Sequence, residues 1–163
     1  METLMLILAL VGILVSGLGC WLSWKAMQNA EDASNEATMA KTAAETASQE
    51  IKIKKYIESL SEVISCLDKA ISTLDKRLSG NTDRGANIST ENLLLRECTA
   101  LVSKNENRIK NGQWRVQVLR KKVESVIPNY KDGPGLNEAA EEIASNLKEM
   151  RQIFANENEN AIY

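Results

Sequence analysis

The chain has 163 residues, with 22 acidic against 20 basic side chains, so no broad positive field recommends nucleic acid as a partner. Aromatic residues make up 4% of it and proline occurs twice, which disfavours a β-rich fold and suits long helices with few breaks. Histidine is absent, and that removes the usual general base, the commonest metal ligand and the physiological pH switch together.

The first element is residues 1–24. From Thr3 to Trp24 the chain is apolar and uncharged, long enough for a helix to cross a hydrocarbon core. Only Met1 and Glu2 precede it, and it ends in Trp21, Leu22, Ser23, Trp24 and Lys25. Those flanks suit a retained helix with an interfacial belt better than a cleaved signal. Leu18-Gly19-Cys20 resembles a lipoprotein box, but Gly17 and Leu18 fit its preceding positions poorly. Lys25 and Lys41 follow the span, so the positive-inside tendency favours a cytoplasmic body, with a periplasmic or extracellular one as the alternative. Gly12, Ser16 and Cys20 recur at a spacing that suits close helix contact in a bilayer.

Residues 25–52 form an alanine-rich stalk. Ala26, Ala30, Ala33, Ala37, Ala40, Ala44 and Ala47 alternate four and three apart, either as a narrow seam for another helix or for helix propensity alone. A stronger seam follows in Ile53, Ile57, Leu60, Ile64, Leu67, Ile71, Leu74 and Leu78. Isoleucine at a and leucine at d favour parallel two-stranded packing, whereas Val63 and Ala70 widen the face towards helices of the same chain. The seam is therefore read as an oligomer or helix-packing surface. This helix is expected over 53–79.

Ser79 to Ser89 reads as a loop, after which Ser89 or Thr90 caps a helix expected over 90–127. Leu95, Cys98, Val102, Asn105, Ile109, Gly112, Val116, Leu119, Val123 and Val126 hold one frame in it. Asn111-Gly112 offers a place to break, but the preserved frame favours one bent helix. Pro128 ends it. A last helix over 137–155 carries Leu136, Ala140, Ile143, Leu147, Met150 and Phe154, and residues 156–163 read as a flexible tail. The fold class is all-α: an anchor helix continuing into a long coiled-coil helix, then two antiparallel helices, giving a three-helix body across 53–155.

One patch stands out. Arg108, Lys110, Trp114, Arg115, Lys121 and Lys122, with Lys104 and Arg120, surround only Glu106, and Trp114 falls outside the seam. An aromatic among cations suits an acidic protein surface or anionic lipid; the plainer reading has Trp114 cover the third helix. Ser145 and Lys148 have a serine acyl-transferase spacing without its companion motifs. Cys20, Cys66 and Cys98 make no CxxC pair, so neither metal nor cofactor is expected; Cys66 and Cys98 could meet in a helical hairpin.

These features point to a non-catalytic, single-pass membrane protein: a scaffold, tether or accessory subunit that self-associates or binds a helical partner. In layout alone, a short N-terminal anchor followed by a helical body, the chain resembles the inner-membrane spanins of phages. That resemblance implies an envelope-spanning lysis factor with an external coiled coil. Binding of anionic lipid or an acidic partner through the Trp114 patch is the third reading.

Overall fold

The structure, a computed structural model, describes residues 2–80 and 87–162. Among them every regular element is helical. Helix α1 runs Glu2–Leu78, α2 Ile88–Asn105, α3 Gln113–Val126 and α4 Leu136–Ile162, with single 3-10 turns at Glu106–Arg108 and Ile127–Asn129. The chain divides into two compact units, Met1–Ile51 and Lys52–Tyr163.

The first unit is helix alone. Its described side chains from Leu6 to Ile51 are all exposed, including Leu6, Ile7, Leu8, Leu10, Val11 and Ile13. This part of α1 holds a stretch apolar and long enough to cross a membrane, with a mean hydropathy of 2.3 over its best window. At the polar end of that stretch the Lys25 ammonium lies 5.3 Å from the centre of the Trp21 ring, a cation–π contact of the kind expected where apolar and wet surroundings meet.

The second unit, the head, packs the end of α1 with α2, α3 and α4 around one core. Cross-helix polar contacts fix the directions. Arg77 meets Glu91 while Arg108 meets Ser59, so α1 and α2 are antiparallel. Asn92 reaches Tyr130 while Glu106 meets Arg120, so the chain returns along α3. Asp75 pairs with Lys148 and Asp68 with Arg151, which sets α4 antiparallel to α1. The head is an up-down-up-down arrangement of four helices.

That count corrects the expectation of three. The segment expected as one bent helix over 90–127 is two helices of opposite direction. Asn105 ends α2, with its side-chain amide donating to the Leu101 carbonyl at 3.0 Å, and Ile109 is extended. Gly112 then takes φ +98° at the N-cap of α3. The frame survives because both arms bury the same positions against one core: Leu95, Cys98, Val102, Ile109, Val116, Leu119, Val123 and Val126 are all buried. A Cβ at Gly112 meets only Ile153 Cγ2 at 3.5 Å, so backbone strain rather than crowding decides a substitution there. Gly112→Ala should destabilise the head by about 1–3 kcal/mol, measured as faster labelling of the buried Cys98 thiol in the full chain in mild detergent.

Two further expectations change. The cap of α2 is Asn87, not Ser89 or Thr90: its side chain accepts from the Ser89 amide at 2.9 Å. Most of the Ser79–Ser89 loop lies outside the described residues. The expected flexible tail is helical through Ile162, because Glu157, only 5% exposed, is held by Tyr56.

Candidate functional site

The seam residues divide by depth. Leu60, Leu67, Ile71 and Leu74 are buried, Ile57, Ile64 and Leu78 are half-buried, and Ile53 is 51% exposed. Val63 and Ala70, which widen the face, are buried with them. The seam closes on helices of its own chain, so its buried members are closed to a second chain while the head is folded. It is the α1 contribution to the core rather than an open docking strip.

The basic patch is sorted by its partners. Arg120 is withdrawn: its guanidinium holds the buried Glu106 at 2.9 Å and Glu124 at 2.7 Å. The hydrogen bond to Glu106 raises the Arg120 pKa further above its ordinary value, against the opposing effect of burial. Arg115 pairs with Glu149 on α4. Arg108 turns towards α1, donating to Ser59 Oγ at 2.7 Å. What stays open is Lys104, Lys110, Trp114, Lys121 and Lys122. Trp114 is 67% exposed, so it does not cover the third helix; the plainer reading fails on that point. Val118, which the sequence reading missed, is exposed one turn beyond it. Trp114, Val118, Lys121 and Lys122 share one face of α3, four or three residues apart, forming an apolar strip edged by ammonium groups.

Sequence reasoning also missed two polar joints, since each joins residues far apart in the chain. In the first, Arg77 of α1 donates through Nε and Nη2 to the two Glu91 oxygens, both at 2.7 Å, and the Tyr130 hydroxyl donates to Glu91 Oε2. Asn92 Nδ2 donates to the Tyr130 carbonyl at 2.8 Å, fixing the 3-10 turn beside α2. Burial raises the Tyr130 pKa and its bond to the Glu91 carboxylate raises it again.

In the second joint the Tyr56 hydroxyl lies 2.8 Å from Glu157 Oε1 and 2.9 Å from the Arg108 carbonyl oxygen, two acceptors for one donated proton. Burial first, then the hydrogen bond and charge of Glu157, push the Tyr56 pKa up to about 12, with Arg108 opposing. Tyr56→Phe leaves the Glu157 carboxylate short of a donor and should cost about 1–3 kcal/mol. Hydrogen exchange should quicken across 154–160 while α3 stays protected.

Among the described residues no three or more His, Cys, Asp or Glu side chains gather in a way that could hold a metal ion. Lys148 is committed to Asp75 at 2.8 Å, and Ser145 stands exposed on the same helix. A shallow groove of about 640 Å³ beside α1 is lined by Ser61, Ile64, Ser65, Ser72 and Asn158, and its Asp68 is engaged by Arg151. Cys98 is fully buried and Cys66 half-buried; burial and the neighbouring Cys66 thiol both push the Cys98 pKa up, which keeps that thiol protonated and slow to react. No family model, curated protein or solved structure matches the chain.

Proposed function

We propose that this chain is a non-catalytic, single-pass membrane tether. Its apolar stretch sits in the bilayer, its alanine-rich helix is the stalk, and its head presents the outer face of α3 to a protein partner. One observation carries the reading: α1 exposes a dozen large apolar side chains from Leu6 to Trp24, on every side but the face of small residues, while the head fills a core of its own. Burying that surface in lipid is strongly favourable, at about 25 cal/mol per Å² of apolar area removed from water. The head needs no cover for its interior, so its open strip is free to recruit.

The partner surface that fits is acidic with an apolar ridge. Trp114 supplies a large anchor of the type that dominates interfaces, and Lys110, Lys121 and Lys122 supply charge at its rim. Lys25 and Lys41 favour a cytoplasmic head. Cys98 is too deep to report sidedness, so an added thiol at the exposed Gln152 serves better. Gln152→Cys should resist a membrane-impermeant reagent in intact cells and react after permeabilisation. Labelling without permeabilisation would move the head to the outer side.

Trp114→Ala should weaken capture of the co-purifying partner by tenfold or more, about 1.4 kcal/mol or above for an anchor residue, with helicity unchanged. Undiminished capture from gently solubilised membranes would remove α3 as the recruiting face.

A further inference from the structure

The alanine seam and the small residues of the apolar stretch share a single heptad frame. Ala9, Gly12, Ser16, Gly19, Ser23, Ala26, Ala30, Ala33, Ala37, Ala40, Ala44, Ala47 and Ile51 alternate three and four apart without a fault. Between residues 9 and 47, only Gly17, Ser34 and Ala43 place an Ala, Gly or Ser off this face. Helix propensity explains alanine in the stalk, but it gives no reason to hold one phase, and it opposes glycine in a helix.

Two independent observations point to what covers this face. A Cβ built at Gly12 or Gly19 on this face, or at Gly17 off it, meets nothing within 4 Å, so nothing in this chain requires a residue that small there. Close approach of another helix does. The flanks then say which helix. With Ala37 and Ala44 at a and Ala40 at d, Glu36 takes a g position and Lys41 the next e position. In a parallel pair those two residues of opposite copies face each other. No g–e pair in this frame sets like charges together. Among the described residues neither Glu36 nor Lys41 takes part in an ion pair within the chain.

We propose that the first unit pairs in parallel with a second copy of this chain through this face. The pairing would be left-handed, as a repeat shorter than the helix's own turn dictates. Alanine and glycine bury little area, so the stalk alone would associate weakly. Membrane attachment supplies the missing drive, since it aligns two copies with one polarity and raises their effective concentration. The inference therefore rests on the anchored reading above. The opposite face suits solvent: the hydroxyls of Thr38, Thr42 and Thr46 each donate to the carbonyl one turn back, at 2.8–2.9 Å.

The test is disulfide crosslinking of the full chain in its membrane, on a Cys20→Ser background. Ala40→Cys puts a thiol on the paired face and Thr42→Cys puts one on the opposite face. Mild oxidation should convert Ala40→Cys largely to covalent dimer and leave Thr42→Cys largely monomeric. Glu36→Lys should reduce the Ala40→Cys dimer, and adding Lys41→Glu should restore it. Equal crosslinking at both positions, or no rescue by the charge exchange, overturns the pairing. If Ala40→Cys stays monomeric while the chain resists carbonate extraction, the pairing falls and the anchor stands. Release of the chain by carbonate removes the anchor and the inference with it.

Discussion

Arg77→Met is expected to destabilise the head by about 3–5 kcal/mol, the usual consequence of removing one member of a buried ion pair. The reason is geometric. Glu91 is 6% exposed and its two oxygens are held by the Arg77 fork, with the Tyr130 hydroxyl as the remaining donor. Without the guanidinium the carboxylate stays buried and unneutralised. The double variant Arg77→Met/Glu91→Met removes both charges and should recover all but the roughly 1–3 kcal/mol of an unaccepted Tyr130 hydroxyl. The readout is the labelling rate of Cys98 in the full chain, where each 1.4 kcal/mol is about tenfold. Equal damage in the single and double variants would show that the joint acts through packing alone.

The same joint gives the head an acid limit. Burial of Glu91 works to raise its pKa, but the hydrogen bonds from Arg77 and Tyr130, with the Arg77 charge, outweigh it, and the net shift is downward from 4.5. A carboxylate with a depressed folded pKa contributes stability in full above its unfolded pKa and loses it as pH falls through the folded one. Wild type should therefore weaken progressively below about pH 4.5. Arg77→Met, which has lost the main cause of the depression, should show a shallower acid limb in circular dichroism.

Much of this architecture was legible as period. The positions Leu60, Leu67, Leu74, Val102, Val116, Val123, Ile143, Leu147 and Phe154 stand out because burial repeats every three or four residues on any helix packed on one side. Direction was not legible. A chain that reverses at Gly112 and one that merely bends bury the same residues, and the backbone between Asn105 and Gly112, extended at Ile109 and left-handed at the glycine, distinguishes them. The joints were hidden for a related reason: Arg77 and Glu91 sit on separate helices and Tyr130 just past the second 3-10 turn, and no local spacing announces their meeting. The end of α4 was misread because a polar tail looks frayed until Tyr56, a hundred residues earlier, is known to hold Glu157. Trp114 was read correctly as off the seam, yet its exposure depended on whether α4 reached over it, a tertiary fact.

Leu67→Asp carries the largest expected effect and settles which helices the Ile53–Leu78 seam serves. Leu67 is fully buried in the head, with Val63, Ala70 and Leu74 on its own helix and the other three helices around the same core. Leu67→Ala removes a packed side chain and leaves a cavity, a loss of about 2–5 kcal/mol. Leu67→Asp adds the burial of an unpaired carboxylate, and together these exceed much of the 5–15 kcal/mol that holds a domain folded. The head should open, Cys98 should label at the rate of an unstructured thiol, and the helical signal should fall towards that of the first unit. Pairing through Ala40 should persist, because that face belongs to the other unit. A seam that instead joined two chains would give the opposite pattern: Leu67→Asp would abolish the dimer while Cys98 in the separated chains kept its protection. Crosslinking at Ala40→Cys and labelling at Cys98, measured on one sample, separate the two outcomes.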